Sequence, residues 1–111
     1  MPRSKVTGTV ADPTLALDGA VLRLSGPVTV NTVAPLMARG RGLLPRLPEQ
    51  ATLDLSGVTR IDSAGVAMLV ELWRLREREG RRLGFAAIPA ELKPFLQLYA
   101  LEPVFGLSAP D

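Results

Sequence analysis

Asp62 and Ser63 stand side by side between an apolar stretch ending at Ile61 and two small residues, Ala64 and Gly65, that open a second apolar stretch. A carboxylate beside a hydroxyl at the head of a helix has a definite chemistry. The first helical turn carries unpaired N–H groups and the positive end of the helix dipole, so negative charge is favoured there. The plainest use of that field is capping, with Asp62 or Ser63 accepting a hydrogen bond from the first turn. The other use is docking. An exposed Ser63 hydroxyl is a candidate phosphoacceptor, and a phosphate there would be held by the helix terminus while adding about two negative charges, enough to eject a partner. Ala64 and Gly65 are small enough for a partner backbone to approach closely.

Other chemistry is scarce. The chain has 111 residues and contains neither cysteine nor histidine. That removes thiolate chemistry, disulfides, the commonest general base and the commonest metal ligand, so no metal site and no cofactor is expected. The carboxylates open to acid–base work are Asp54, Asp62 and Glu71. Asp54 falls on a strand, and Glu71 lies more than two helical turns beyond Asp62. No Gly-rich phosphate loop with a Lys-Ser or Lys-Thr end is present. The expectation is a protein that is not an enzyme. Thirteen Lys and Arg against eleven Asp and Glu leave a net charge of +2. Arg39, Arg41 and Arg46 form one set. Arg74, Arg76, Arg78, Arg81 and Arg82 form another, interleaved with Glu71, Glu77 and Glu79, which reads as a solvated, mixed-sign helix face. Nucleic-acid binding would need a one-sided basic stripe with stacking aromatics. The first residues hold no apolar signal segment, and no apolar run approaches the ~20 residues that a membrane span needs. A cytoplasmic protein is expected.

The elements that must position Asp62 and Ser63 follow from the apolar spacing. Residues 1–12 read as a flexible lead-in, 13–107 as a single domain and 108–111 as a tail; 47% hydrophobic residues suffice for one core. Asp18-Gly19 predicts a hairpin turn between a strand near Thr14–Leu17 and the returning strand Val21–Ser25, with Leu22 and Leu24 facing one way and Val21 and Arg23 the other. A helix capped by Asn31 or Thr32 follows, with Pro35 in its first turn. Its inward face is Val33, Leu36, Met37, Leu43 and Leu44, and Gly40 and Gly42 weaken its middle. Ala51–Leu55 predicts a short central strand broken by Ser56-Gly57. The helix beginning at the Asp62 turn runs over 64–79 and stops at Gly80. Leu83–Ile88 is the next strand, residues 90–100 a last helix, and Pro103–Phe105 a candidate edge strand. The order β-β-α-β-α-β-α predicts an α/β fold with a mixed sheet of four or five strands, opening with an antiparallel hairpin and carrying its helices largely on one side.

The helix after Asp62 is apolar over more than half its circumference. Val66, Leu69, Val70 and Trp73 share one arc, and Met68, Leu72 and Leu75 extend it, whereas a surface helix needs a stripe of only about 100°. Either the helix is buried on most sides, or part of it meets another protein. On the second reading the partner-facing residues are Asp62, Ser63, Ala64, Gly65, Met68, Leu72 and Trp73, and weak homodimerisation through the same face is open.

The segment Leu53-Asp-Leu-Ser-Gly-Val-Thr-Arg-Ile-Asp-Ser-Ala-Gly-Val66 resembles the signature of the STAS family, the sulfate transporter and anti-sigma factor antagonist domains, and the likeness spans roughly Thr14 to Phe105. The resemblance implies a STAS fold, no catalysis and regulation by docking. In the anti-sigma factor antagonists the serine matching Ser63 is phosphorylated by a partner kinase, with the aspartate matching Asp62 supporting the site. The tail Leu92-Lys-Pro-Phe-Leu-Gln-Leu-Tyr-Ala-Leu-Glu-Pro-Val-Phe105, with the sequence stopping soon after, is similar to the MlaB-like STAS subunit of Gram-negative phospholipid-transport ABC systems. That likeness implies an accessory subunit that binds and regulates the transporter's ATPase, through a hydroxyl residue matching Ser63. It also implies a role in outer-membrane lipid asymmetry, and a peripheral place at the inner membrane reached only through the complex. The alternative is an anti-sigma factor antagonist, bound by a kinase and switched by phosphorylation of Ser63. The first twelve residues have no counterpart in either branch.

Overall fold

The computed structural model describes residues 12–106, so the expected lead-in, Asp12 apart, and the tail at 108–111 lie outside the described residues. The strands are β1 (Thr14–Asp18), β2 (Val21–Val28), β3 (Gln50–Ile61) and β4 (Arg82–Ala86), and the helices are α1 (Val33–Leu43), α2 (Ser63–Arg78) and α3 (Lys93–Leu98). Single 3₁₀ turns at Leu44–Arg46 and Ala90–Leu92 extend α1 and lead into α3. The sheet runs β1-β2-β3-β4, antiparallel between β1 and β2 and parallel thereafter. A hairpin can join antiparallel neighbours, but parallel ones need a crossover, which α1 and α2 supply.

The strands alternate as a sheet with one covered face must. Leu15, Leu22, Leu24, Val28, Leu53, Leu55 and Leu83 point into the core, where Leu36 and Leu43 of α1, Val66, Leu69 and Leu72 of α2, and Leu92 and Leu96 beside α3 meet them. The outward face carries Ala16, Arg23 and Asp54, with Arg23 donating to Asp54 at 2.9 Å and lying 3.4 Å from Asp18. The mixed sheet with its opening hairpin is therefore as the apolar spacing predicted.

Several details differ from the sequence-based expectation, each for a physical reason. The hairpin turn is Gly19-Ala20, since Asp18 still pairs with Val21, and positive φ falls on Gly19 alone (φ 62°). That is the requirement of a II′ turn, not of the I′ turn that Asp-Gly suggested. Ser56-Gly57 does not end β3. The strand runs on to Ile61, pairing with β2 through register shifts between Arg23 and Ser25 and again between Gly26 and Pro27. Two-sided pairing overrides a local breaker signal there, and the extra residue is taken up as an irregularity. Gly40 does not weaken α1 without return. A Cβ there would stand 2.9 Å from Leu72 Cδ2, so the missing side chain is what lets α1 and α2 pack. Pro103–Phe105 forms turns and no fifth strand. Phe105 instead stacks its ring on Phe85 at 4.3 Å, with 2% of its surface exposed.

The largest departure is Arg76, expected on a solvated helix face and found fully buried. Its guanidinium donates to the carbonyls of Arg82 (2.9 Å), Glu49 (3.1 Å), Leu44 (3.4 Å) and Pro48. Four backbone oxygens take the place of a carboxylate partner. They tie the end of α2 to the turn after α1 and to the start of β4. Burial pushes the guanidinium pKa down, with Arg81 adding to the effect and Glu79 opposing it.

Candidate functional site

Asp62 ends the link from β3 and is the N-cap of α2. One carboxylate oxygen accepts from Gly65 N–H at 3.0 Å, the other from Val30 N–H at 3.0 Å. The Val30 N–H, then those of Gly65 and Ala64, hold the carboxyl below its ordinary value against a smaller opposing effect of burial. Both oxygens are therefore committed. Asp62 caps α2 and fastens the β2–α1 turn to it, a structural use of both oxygens. Gly65 serves the same junction. A Cβ on it would lie 2.2 Å from Val28 O and 2.6 Å from Ile61 Cγ1. The space expected for a partner backbone is occupied by the chain's own β2, which corrects the assignment of Gly65 to a partner surface.

Met68 and Leu72 are largely core residues, 4% and 0% exposed; Leu72 is out of a partner's reach, while Met68 touches the surface only at the floor of the groove between α1 and α2. Trp73 is half-buried beside Glu77, β4 and Pro103–Gly106, on the flank of α2 away from Ser63. Of the expected partner-facing residues, Asp62, Ser63 and Ala64 stay together at the surface.

The free surface of α2 follows a different stripe. Ser63 and Ala67 are exposed and Ala64 and Glu71 half-exposed, forming a ridge of small side chains that ends in a carboxylate. Two open apolar grooves flank it. One, of about 430 Å³, lies between α2 and the turn after α3 and is lined by Val66, Val70, Tyr99 and Leu101. The other, of about 250 Å³, lies between α2 and α1 and is lined by Val33, Ala34 and Met37. Val30, 69% exposed, stands at the end of the turn that Asp62 holds, and Tyr99 is 58% exposed at the rim of the first groove. Ala67, Val70, Tyr99 and the α1 residues escaped sequence reasoning. The signal that finds them is the helical repeat from Ser63, since positions 63, 67, 70, 71 and 74 share one side of α2.

Asp54 lies on the opposite face of the sheet. The Ser56 backbone N–H, then its hydroxyl, and Arg23 hold its carboxyl below the ordinary value. The three carboxylates therefore do not converge. Among the described residues no group of three metal-ligating side chains occurs. No helix among them is long and apolar enough to cross a membrane.

A mixed four-stranded sheet with a capped serine at the head of its third-strand crossover helix defines a STAS-type domain. The chain belongs to the family whose model is described as "Mlab, STAS domain", matched over residues 12–106. Solved structures repeat the fold. An anti-sigma factor antagonist from Mycobacterium paratuberculosis is 24% identical, with a TM-score of 0.67 over 89% of this chain and 85% of that one. The anti-sigma factor antagonist SpoIIAA in its unphosphorylated form is 17% identical, with a TM-score of 0.60 over 89% and 87%. The Bacillus cell fate determinant SpoIIAA in its phosphorylated form is 16% identical, with a TM-score of 0.64 over 89% and 91%. A search of curated proteins finds no match.

Proposed function

We propose that this domain is a non-catalytic accessory subunit that docks on, and regulates, the ATPase of a phospholipid-transport ABC system of the Mla type. The observation that carries the docking reading is the uncovered ridge Ser63-Ala64-Ala67 between two apolar grooves. Small residues along a helix allow close approach, and flanking grooves accept apolar anchors. The description of the matching family model supports an Mla-type partner. On this reading the protein works in the cytoplasm, reaches the inner membrane only through the complex, and serves outer-membrane lipid asymmetry.

A second reading is a phosphorylation-switched anti-sigma factor antagonist with an anti-sigma factor kinase as partner. It is favoured by one observation: Ser63 is exposed at the start of α2, and among the described residues its hydroxyl has no hydrogen-bond partner. The two are separated by co-purification with the chain's own Mla-type ATPase and by intact-mass analysis after incubation with the organism's anti-sigma kinases. Stable association with the ATPase, lost in Ser63→Glu, supports the first reading. Absence of that complex together with a one-phosphate mass gain, abolished in Ser63→Ala, replaces it with the second.

A further inference from the structure

Glu71 sits in the middle of α2, half-buried, and lines both grooves of the docking surface. Among the described residues its carboxylate belongs to neither ion pair, both of which lie on the far face of the sheet. Arg74, one turn on, lines the end of the first groove without pairing with it. Glu71 is thus a carboxylate set between Val70 on one side and Met37 on the other, still reached by water. A partner that fills both grooves removes that water. An uncompensated carboxylate in an apolar contact is strongly unfavourable, so the partner must bring the compensating charge with it. Arg74 makes no such demand, because its long side chain at the end of the groove can keep the guanidinium in water.

We infer that this surface selects a partner segment presenting one lysine or arginine flanked by apolar side chains, the cation meeting Glu71 while the apolar groups enter the two grooves. The inference rests on the docking reading above and adds the chemistry of the partner. Glu71 is the charge that fixes the register of the partner along the ridge, about 12 Å from Ser63 at 1.5 Å per residue. It rejects partners with an acidic or unpaired polar group at that point.

The test is a titration of the full chain with the Mla-type ATPase, comparing wild type, Glu71→Gln, Glu71→Arg, Glu79→Gln and Ala67→Arg, with thermal melts confirming that each variant is folded. Glu71→Gln is expected to weaken binding about 10-fold, between the weight of an exposed and a desolvated charge pair. Glu71→Arg should abolish binding, and Glu79→Gln, which removes the same unit charge at the exposed end of α2, should change nothing. Added salt should weaken the wild-type complex more than the Glu71→Gln complex. If Glu71→Gln binds as wild type while Ala67→Arg abolishes binding, the docking reading stands and the role of Glu71 is overturned. If Ala67→Arg also binds as wild type, the docking reading fails and takes this inference with it.

Discussion

Replacing Arg76 by alanine should cost far more than any other arginine substitution on α2. The guanidinium is fully buried and donates to four backbone carbonyls, those of Arg82, Glu49, Leu44 and Pro48. Three of the four keep a second donor when Arg76 is gone: Leu44 O accepts from Leu47 N–H, Glu49 O from Arg82 N–H, and Arg82 O from the β3 ladder where Gln50 pairs with Arg82. Hydrogen bonds from a charged donor are worth about 1.5–3 kcal/mol net, and that to Pro48 O has no ready replacement, which with the cavity left behind gives a loss of about 3–5 kcal/mol. A domain of this size has only about 5–15 kcal/mol in total. The assay is equilibrium urea unfolding of wild type, Arg76→Ala, Arg76→Lys and Arg78→Ala. The midpoint of Arg76→Ala should fall by about 2 M. Arg76→Lys should recover little, because a single ammonium cannot reproduce the planar fork that spans separate acceptors. Arg78 is exposed, and its removal should be nearly neutral. A loss below about 1 kcal/mol for Arg76→Ala, in the range of surface substitutions, would mean that the guanidinium lies in water, and the buried clamp would be wrong.

The junction at the head of α2 makes its own demands. Gly65→Ala forces a Cβ to within 2.2 Å of Val28 O, so thermal unfolding should show a loss of about 1–3 kcal/mol even though Ala is the better helix former. Asp62→Ala should lower stability at pH 7 by about 1 kcal/mol, the usual weight of a cap. Because the folded carboxyl lies below the ordinary value of 3.8, its contribution is complete above that value and lost as pH falls through the folded value. The difference between wild type and Asp62→Ala should therefore be constant from neutral pH to about pH 5 and shrink only in stronger acid; a difference that vanishes by pH 6 would exclude this origin. Ala100 closes α3 at φ 54°, with Leu101 N–H returning to Leu96 O at 2.8 Å. Ala100→Gly should then stabilise the domain slightly, by up to about 1 kcal/mol, where the same change inside a helix would destabilise it; a destabilising result in urea titration would show that the turn is not left-handed.

What was legible in the sequence follows from how local each signal is. The Asp62 cap, the Gly80 stop and the alternation in β2 depend on neighbours within one turn or one strand, and they stand as expected. β3 was cut short at Ser56-Gly57 because a breaker pair is a local preference, while the strand is held by β2 and β4 on either side. The charged neighbours of Arg76 predict a solvated residue. Its position four residues beyond Leu72, on the buried arc, was the contrary signal, but the carbonyls that accept from it come from distant segments. Met68 and Leu72 read as partner-facing for the converse reason. An apolar arc too wide for one sheet can be covered by a neighbouring helix, and α1, opened by Gly40, does so. The exposed Ser63 beside the Asp62 cap was legible in the sequence, while the shape of the surface around it depends on which flank of α2 the rest of the fold leaves bare.

The chain contains no cysteine, which allows the central claim to be tested with a single introduced thiol. Ala67→Cys places it on the ridge between the grooves, and Ala86→Cys places it on β4, exposed on the far face of the sheet. Each variant is capped with a bulky maleimide and titrated with the ATPase proposed as its partner. Capped Ala67→Cys should lose the complex while capped Ala86→Cys keeps wild-type affinity. Full affinity in capped Ala67→Cys, or loss only in capped Ala86→Cys, would contradict that claim.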